Sequence, residues 1–106
     1  MRFRAERRGR SRIVQLFGEL DASTTDDLKT VIEPIIQTQG DIEVDCAELT
    51  FMDSSGLHVL LGAAQALGSE GRVIVRNPTS TVRRVLSLSG VERGGGIVVV
   101  VDDPPD

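Results

Sequence analysis

The chain has 106 residues, 40% of them hydrophobic, and a formal net charge of −4. That length fits one domain, and with three Phe and no Trp or Tyr the core must be aliphatic and base stacking on single-stranded nucleic acid has little to rest on. A single cysteine, Cys46, excludes an intramolecular disulfide and reads as a small buried hydrophobe rather than a reactive thiol.

The charge is uneven. Residues 1–12 hold six Arg and one Glu, a net +5, which leaves −9 for the remainder of the chain. Such a strip can mark a nucleic-acid arm, but charged side chains also protect the exposed edge of a sheet from pairing with other chains. The acidic body would repel a phosphate backbone, so the edge-strand reading is preferred and no direct nucleic-acid partner is expected. No stretch has the length of a membrane-spanning helix, and the arginine-rich start has no apolar run of a secretory signal. No membrane partner is expected, and the expected location is the cytoplasm.

In chain order, Arg2 to Arg8 alternates weakly and ends at Gly9, a short strand joined by a tight turn to a second strand over Ser11 to Gly18. Ile13, Val14, Leu16 and Phe17 are dense enough to suggest that this second strand is the more fully covered. Gly18-Glu19-Leu20-Asp21-Ala22-Ser23-Thr24-Thr25 is a polar turn feeding a helix, in which Leu28, Val31, Ile32, Ile35 and Ile36 form one apolar stripe. Asp21 or Ser23 can cap this helix, and Asp26 and Asp27 suit its positive end. Pro34 means that it bends or ends early, with Gly40 a plausible stop.

From Asp41 to Ala47, Ile42, Val44 and Cys46 alternate with Glu43 and Asp45, the period of a strand with one buried face. Leu57, Leu60, Leu61, Ala64 and Leu67 then recur at helical spacing, closing near Gly68 to Gly71. Val73, Ile74 and Val75 form an unbroken apolar run, as in a strand covered on both faces. A third helix with Val82, Val85 and Leu86 inward ends at Ser89-Gly90. After a turn at Arg93-Gly94-Gly95-Gly96, Ile97 to Val101 is the last strand. The order predicts an α/β domain over 1–101, a mixed, mainly parallel sheet of about five strands with an antiparallel N-terminal edge hairpin and three main helices packed on it. Residues 102–106 read as a disordered acidic tail.

Between the strand period and the helix period lies Phe51-Met52-Asp53-Ser54-Ser55-Gly56-Leu57-His58. This places a carboxylate and two hydroxyls where a helix presents unpaired backbone N–H groups. His58 with Ser54 and Asp53 has the composition of a hydrolase triad, but a triad needs the imidazole to bridge hydroxyl and carboxylate in space. Residues at i and i+4 of one helix are neighbours by default. The preferred reading gives His58 an exposed or interface role and the chain no catalytic residue. No cluster of His, Cys or acids has metal-ligand spacing, and Gly94-Gly95-Gly96 lacks the Lys and Ser/Thr of a phosphate loop, so no metal or cofactor is expected. Two readings of Ser54 stand: a capping residue with its neighbours, or a phosphorylation site, because a phosphate at a helix N-terminus is tolerated by the dipole and free N–H groups while changing the charge of an acidic patch.

The Gly18-Glu19-Leu20-Asp21 turn, the helix containing Leu28-Lys29, Phe51-Met52-Asp53-Ser54-Ser55-Gly56-Leu57 and the late Val82-Arg83-Arg84-Val85-Leu86 helix with Ser89-Gly90 resemble the anti-sigma factor antagonists of bacteria, members of the STAS domain superfamily. The resemblance covers nearly the whole chain, and the Asp-Ser-Ser-Gly-Leu stretch after an apolar strand is its more specific part. It implies a non-enzymatic protein whose phosphorylated serine is Ser54. It implies as partners an anti-sigma factor serine kinase, bound by the unphosphorylated form so that a sigma factor is freed, and a metal-dependent serine phosphatase that reverses the modification. Asp21, Ser23, Asp53, Ser54, Ser55, Gly56, Leu57 and His58 would then form the partner-facing surface. The chain departs from the family pattern at His58, where a second glycine is common, at Arg93 to Gly96, and in its basic start. The alternatives are a STAS subunit held permanently in a transporter or lipid-transport complex, and a small hydrolase using Ser54 and His58.

Overall fold

In the computed structural model, which describes residues 2–9, 11–38, 40–90 and 96–101, the two periodicities of the sequence become a sheet with helices on one side. The elements are β1 (Arg2–Arg8), β2 (Ser11–Leu20), α1 (Thr25–Ile36), β3 (Ile42–Met52), α2 (Ser54–Leu67), β4 (Val73–Arg76), α3 (Ser80–Ser89) and β5 (Ile97–Val100). A one-turn 3₁₀ segment, Gly68–Glu70, follows α2. The expected turn residues 93–95 and the expected acidic tail, 102–106, lie outside the described residues.

The strands lie in the order β1-β2-β3-β4-β5. β1 pairs antiparallel with β2 through Arg2↔Phe17 to Arg8↔Ser11, and β2, β3, β4 and β5 run parallel. The expected α/β fold with an antiparallel edge hairpin is therefore the one observed, and the arginine-rich β1 is indeed an edge strand. The Arg2 guanidinium lies 5.7 Å from the centre of the Phe17 ring across that pair.

Each parallel step advances the sheet in the same direction, so right-handed crossovers place every helix on the same face. This overturns the expectation that β4 is covered on both faces, while β2 is more fully covered than β1, as expected. Val73 and Val75 are fully buried while Ile74 between them is half-buried. In β2, Val14, Leu16 and Leu20 are buried, whereas Ile13, Gln15 and Phe17 are not. On the helix-free face Arg4, Glu6, Gln15, Glu43, Asp45 and Arg76 share one polar groove with Ile13 and Asn77. Glu43 is buried there by its ion pair with the Nε of Arg76. The apolar run at Val73 to Val75 misled because Ile74 is β-branched, which suits a pleated surface whether or not a layer covers it.

β3 is longer than its alternating stretch suggests. Its eleven residues run against β2 with register shifts between Gln15 and Phe17 and between Gly18 and Glu19. Each shift passes one extra β3 residue, as in a β-bulge, and the Asp45 carboxylate accepts from the Ala47 N–H at 3.0 Å beside the first. The slips change the phase of the strand, so that Leu49 and Met52 join Ile42, Val44 and Cys46 in the core.

α1 resolves the ambiguity over Pro34. The proline lies within the last turn and the helix ends two residues later, at Ile36; lacking an N–H, Pro34 cannot donate to the Thr30 carbonyl one turn back. Gly40 is not the cap: it sits in the following turn with φ of +104° and donates to the Glu70 carbonyl at 3.0 Å. Arg12, counted in the basic strip, is buried, and its Nη1 donates to the Thr38 carbonyl at 3.4 Å just past α1. A cation there suits the negative end of the helix.

One-sided coverage makes neighbouring residues unequal. Val75→Thr places a hydroxyl in the apolar layer and should lower stability by about 1–3 kcal/mol, while Ile74→Thr should change it by less than about 1 kcal/mol. Urea unfolding of the two variants checks this, and the opposite ranking would contradict the assignment of the buried face.

Candidate functional site

The candidate site forms where β2 and β3 end and α2 begins. Because β2 and β3 are parallel, Leu20 and Met52 are register partners at their C-terminal ends, and the Asp53 N–H donates to the Leu20 carbonyl at 3.2 Å. This bond brings the Glu19-Leu20-Asp21 turn alongside the Asp53-Ser54-Ser55 turn. The two acidic side chains are close enough for the negative charge of Asp21 to act against the ionised form of Asp53. Residues that are 32 apart in sequence thus meet at one end of the sheet.

Asp53 is the N-cap of α2, in extended backbone conformation. Its Oδ1 accepts from the Ser55 N–H at 2.9 Å, the Ser55 hydroxyl at 2.5 Å and the Gly56 N–H at 3.4 Å. One oxygen therefore serves two of the orphan donors of the helix start. The hydrogen bond from the Ser55 hydroxyl is the main reason that the Asp53 carboxyl is held below its ordinary value, with the backbone donors acting the same way and partial desolvation opposing them. Asp21 is also held below the ordinary value, chiefly by the Ser23 hydroxyl. The Asp21 Oδ1 accepts from that hydroxyl at 2.7 Å and from the Ser23 N–H at 2.9 Å.

The expectation that Asp21 or Ser23 caps α1 is corrected. Thr24 occupies the N-cap position without a side-chain cap bond, and its hydroxyl instead accepts from the Asp21 N–H at 2.9 Å and donates to the Glu19 carbonyl at 3.0 Å. The local bonds satisfy the turn itself, and this fixes Asp21 in place next to Asp53.

The two serines differ. Ser55 is half-buried and its hydroxyl is spent on Asp53. Ser54, the first residue of α2, is exposed, and its hydroxyl has no partner among the described residues. Gly56 and Leu57, expected on the partner-facing surface, turn inward instead. A Cβ on Gly56 would lie 2.7 Å from Leu20 Cγ and 3.0 Å from Met52 Cγ, and Leu57 is only 4% exposed. The Leu57 side chain and the bare Cα of Gly56 position the turn, because the helical stripe that buries Leu57 also faces Gly56 to the sheet. His58 is exposed on the outer side of α2, where it lines a groove of about 270 Å³ between α1 and α2 with Lys29, Glu33, Val59 and Gly62. It is not hydrogen-bonded to Ser54 or Asp53 in the described residues, so the relay a hydrolase needs is not assembled.

Phe51, the residue before the end of β3, faces outward. It is 41% exposed, next to the acidic turns and opposite Glu19. The double slip of β3 turns it outward while Leu49 and Met52 go in, and strict alternation would not have found it. Cys46 is buried in the core and its thiol is pushed up to about 12 by that burial, with Asp45 adding to the effect. It is not a nucleophile at neutral pH. Among the described residues no group of three or more His, Cys, Asp or Glu is placed to hold a metal, and no helix is long and apolar enough to cross a membrane.

Comparison with known proteins gives a consistent set. The family model described as Mlab, STAS domain matches residues 3–101. An anti-sigma F factor antagonist of Lysinibacillus sphaericus is 36% identical over 83 residues, spanning 74% of this chain and 70% of that protein. The solved structure of the anti-sigma factor antagonist SpoIIAA in its unphosphorylated form superimposes with a TM-score of 0.77 at 33% identity, covering 93% of this chain and 88% of that one. The Bacillus cell fate determinant SpoIIAA in the phosphorylated form gives 0.71 at 32% identity, covering 93% and 91%.

Two outcomes follow from the geometry. Gly56→Ala should cost about 1–3 kcal/mol through contact with Leu20 and Met52, read as a lower urea midpoint, and an unchanged midpoint would mean that the close approach is absent. Asp53 and Asp21 are below their ordinary values when folded, so the stability they give is present at neutral pH and is lost as pH falls through the carboxylate range, below about 4. Asp53→Asn should be less stable than the parent at pH 7, with the gap narrowing on acidification. Parallel curves would refute the linkage.

Proposed function

The chain belongs to the STAS domain family, and on that premise we propose that it is an anti-sigma factor antagonist, a binding module rather than an enzyme, switched by phosphorylation of Ser54. The observation that carries the proposal is the difference between the two serines: Ser54 offers an exposed hydroxyl with no partner among the described residues at the first turn of α2, whereas Ser55 is locked to Asp53. The names of the similar proteins support the same class, and one of them has been solved with and without phosphate.

In this reading the unphosphorylated surface of Asp21, Ser23, Asp53, Ser54 and Ser55, with Phe51 and His58 at its margins, docks on the anti-sigma factor serine kinase and so releases the sigma factor. The partner surface should be basic, since Asp21 and Asp53 stay ionised throughout the neutral range and complementary charge sets orientation and association rate. Transfer of the γ-phosphoryl of ATP to Ser54 Oγ adds between about 1.5 and 2 negative charges at neutral pH. The fold tolerates this because the N-terminus of α2 favours an anion by about 0.3–1 kcal/mol. The interface does not: the phosphate adds bulk and like charge beside two carboxylates, and the complex separates until a serine phosphatase removes it. The protein works in the cytoplasm, where ATP and sigma factors are found.

Coexpression with an anti-sigma factor serine kinase of the same organism tests the assignment. Intact mass should rise by about 80 Da, one phosphate, in the parent and not in Ser54→Ala. Equal labelling of Ser54→Ala would reject the site. Absence of labelling with a kinase active on another antagonist would favour an unswitched STAS subunit of a transporter complex.

A further inference from the structure

The groove between α1 and α2 and the outer face of α2 leave one titratable group unaccounted for. His58 is the only histidine of the chain. It is exposed, has no ion pair or hydrogen bond among the described residues, and lies four residues after Ser54 on α2. Residues at i and i+4 of a helix share a face with their Cβ atoms about 5–6 Å apart. Cα–Cβ bonds tilt toward the helix N-terminus, so the side chain at i+4 leans back over the turn that contains residue i. Ser54 is exposed at the first position of α2, so a phosphate on its Oγ would lie on the same helix face as His58.

We propose that His58 is the intramolecular partner of the phosphate on Ser54, its imidazolium donating to a phosphate oxygen and offsetting part of the added charge. The proposal rests on the reading of Ser54 as the modified residue. The other charges facing His58 are Lys29 and Glu33 of α1, which line the same groove, and Asp53 and Asp21 beyond Ser54 at the turns. Lys29 and Glu33 are one helical turn apart and of opposite sign. No strand residue lines this groove. The phosphate is therefore the largest new charge that His58 meets. Imidazole titrates near about 6.5 and the second ionisation of phosphoserine lies near about 6, so the pairing makes the charge of the modified state depend on pH through the neutral range.

Phosphoserine installed at position 54 during translation, by suppression of an amber codon, tests this without any kinase. The single histidine makes the imidazole Cε1–H signal unambiguous in a proton NMR titration of the full chain, and ³¹P NMR reads the phosphate. Phosphorylation should raise the His58 midpoint by about half a pH unit or more, and His58→Gln should raise the second phosphate midpoint by a similar amount, as linkage between two groups requires. The His58 shift should persist in Lys29→Gln and Glu33→Gln. A His58 midpoint that moves by less than about 0.1 unit on phosphorylation, or a ³¹P midpoint that responds to Lys29→Gln and not to His58→Gln, would overturn the pairing. Failure of a kinase to label Ser54 would count against the proposed function alone, since the installed phosphate is independent of it.

Discussion

The Asp53 carboxylate at the start of α2 is the contact on which the rest of the site depends. One of its oxygens holds the Ser55 hydroxyl and two backbone donors, while its own N–H is bound to the end of β2. The helix therefore begins at a fixed point on the sheet. Gly56 then passes so close to Leu20 and Met52 that no side chain fits between them. Together these contacts decide that Ser55 is structural and that Ser54 is left facing solvent.

The sheet supplies the second constraint. Consecutive parallel steps in one direction gather the helices on one face and leave the other as a polar groove with the Glu43–Arg76 pair. The C-terminal ends of β2 and β3 meet at the junction with α2, as is usual for functional sites of parallel sheets. Such an arrangement separates tasks: the aliphatic layer of Leu16, Leu28, Leu60 and their neighbours carries stability, and in the proposed function the short polar turns would carry recognition. A modification confined to a turn can then alter binding without unfolding the layer beneath.

The electrostatics fit a switch of that kind. An anion is welcome to the helix and unwelcome to the acidic surface around it, because the dipole and free N–H groups act locally while Asp21 and Asp53 act on whatever docks above. In the proposed function, the charge that a partner would meet is set by a few side chains within one turn of the start of α2. His58 stands one turn further on.

Much of this was legible in the chain. The order of strands and helices, the edge hairpin, the end of α3 at Gly90 and the apolar stripes of α1 and α2 follow from periodicity and from glycine, proline and charged residues, all of which act through near neighbours. The Asp-Ser-Ser-Gly motif, likewise, could be recognised as a helix start from its composition. Other features depended on residues distant in sequence. Which face of β4 is covered is set by the direction of successive crossovers, and Ile74 has no local sign of it. The phase of β3 after Cys46 is set by slips against β2, which bury Leu49 and Met52 and expose Phe51. The difference between Ser54 and Ser55 is set by the Asp53 rotamer and the packing of Gly56 against Leu20. Sequence by itself determined the elements and the chemistry available at the turn, because those are local; tertiary structure alone decided which hydroxyl is free and which side chains surround it, because that depends on where β2 ends in space.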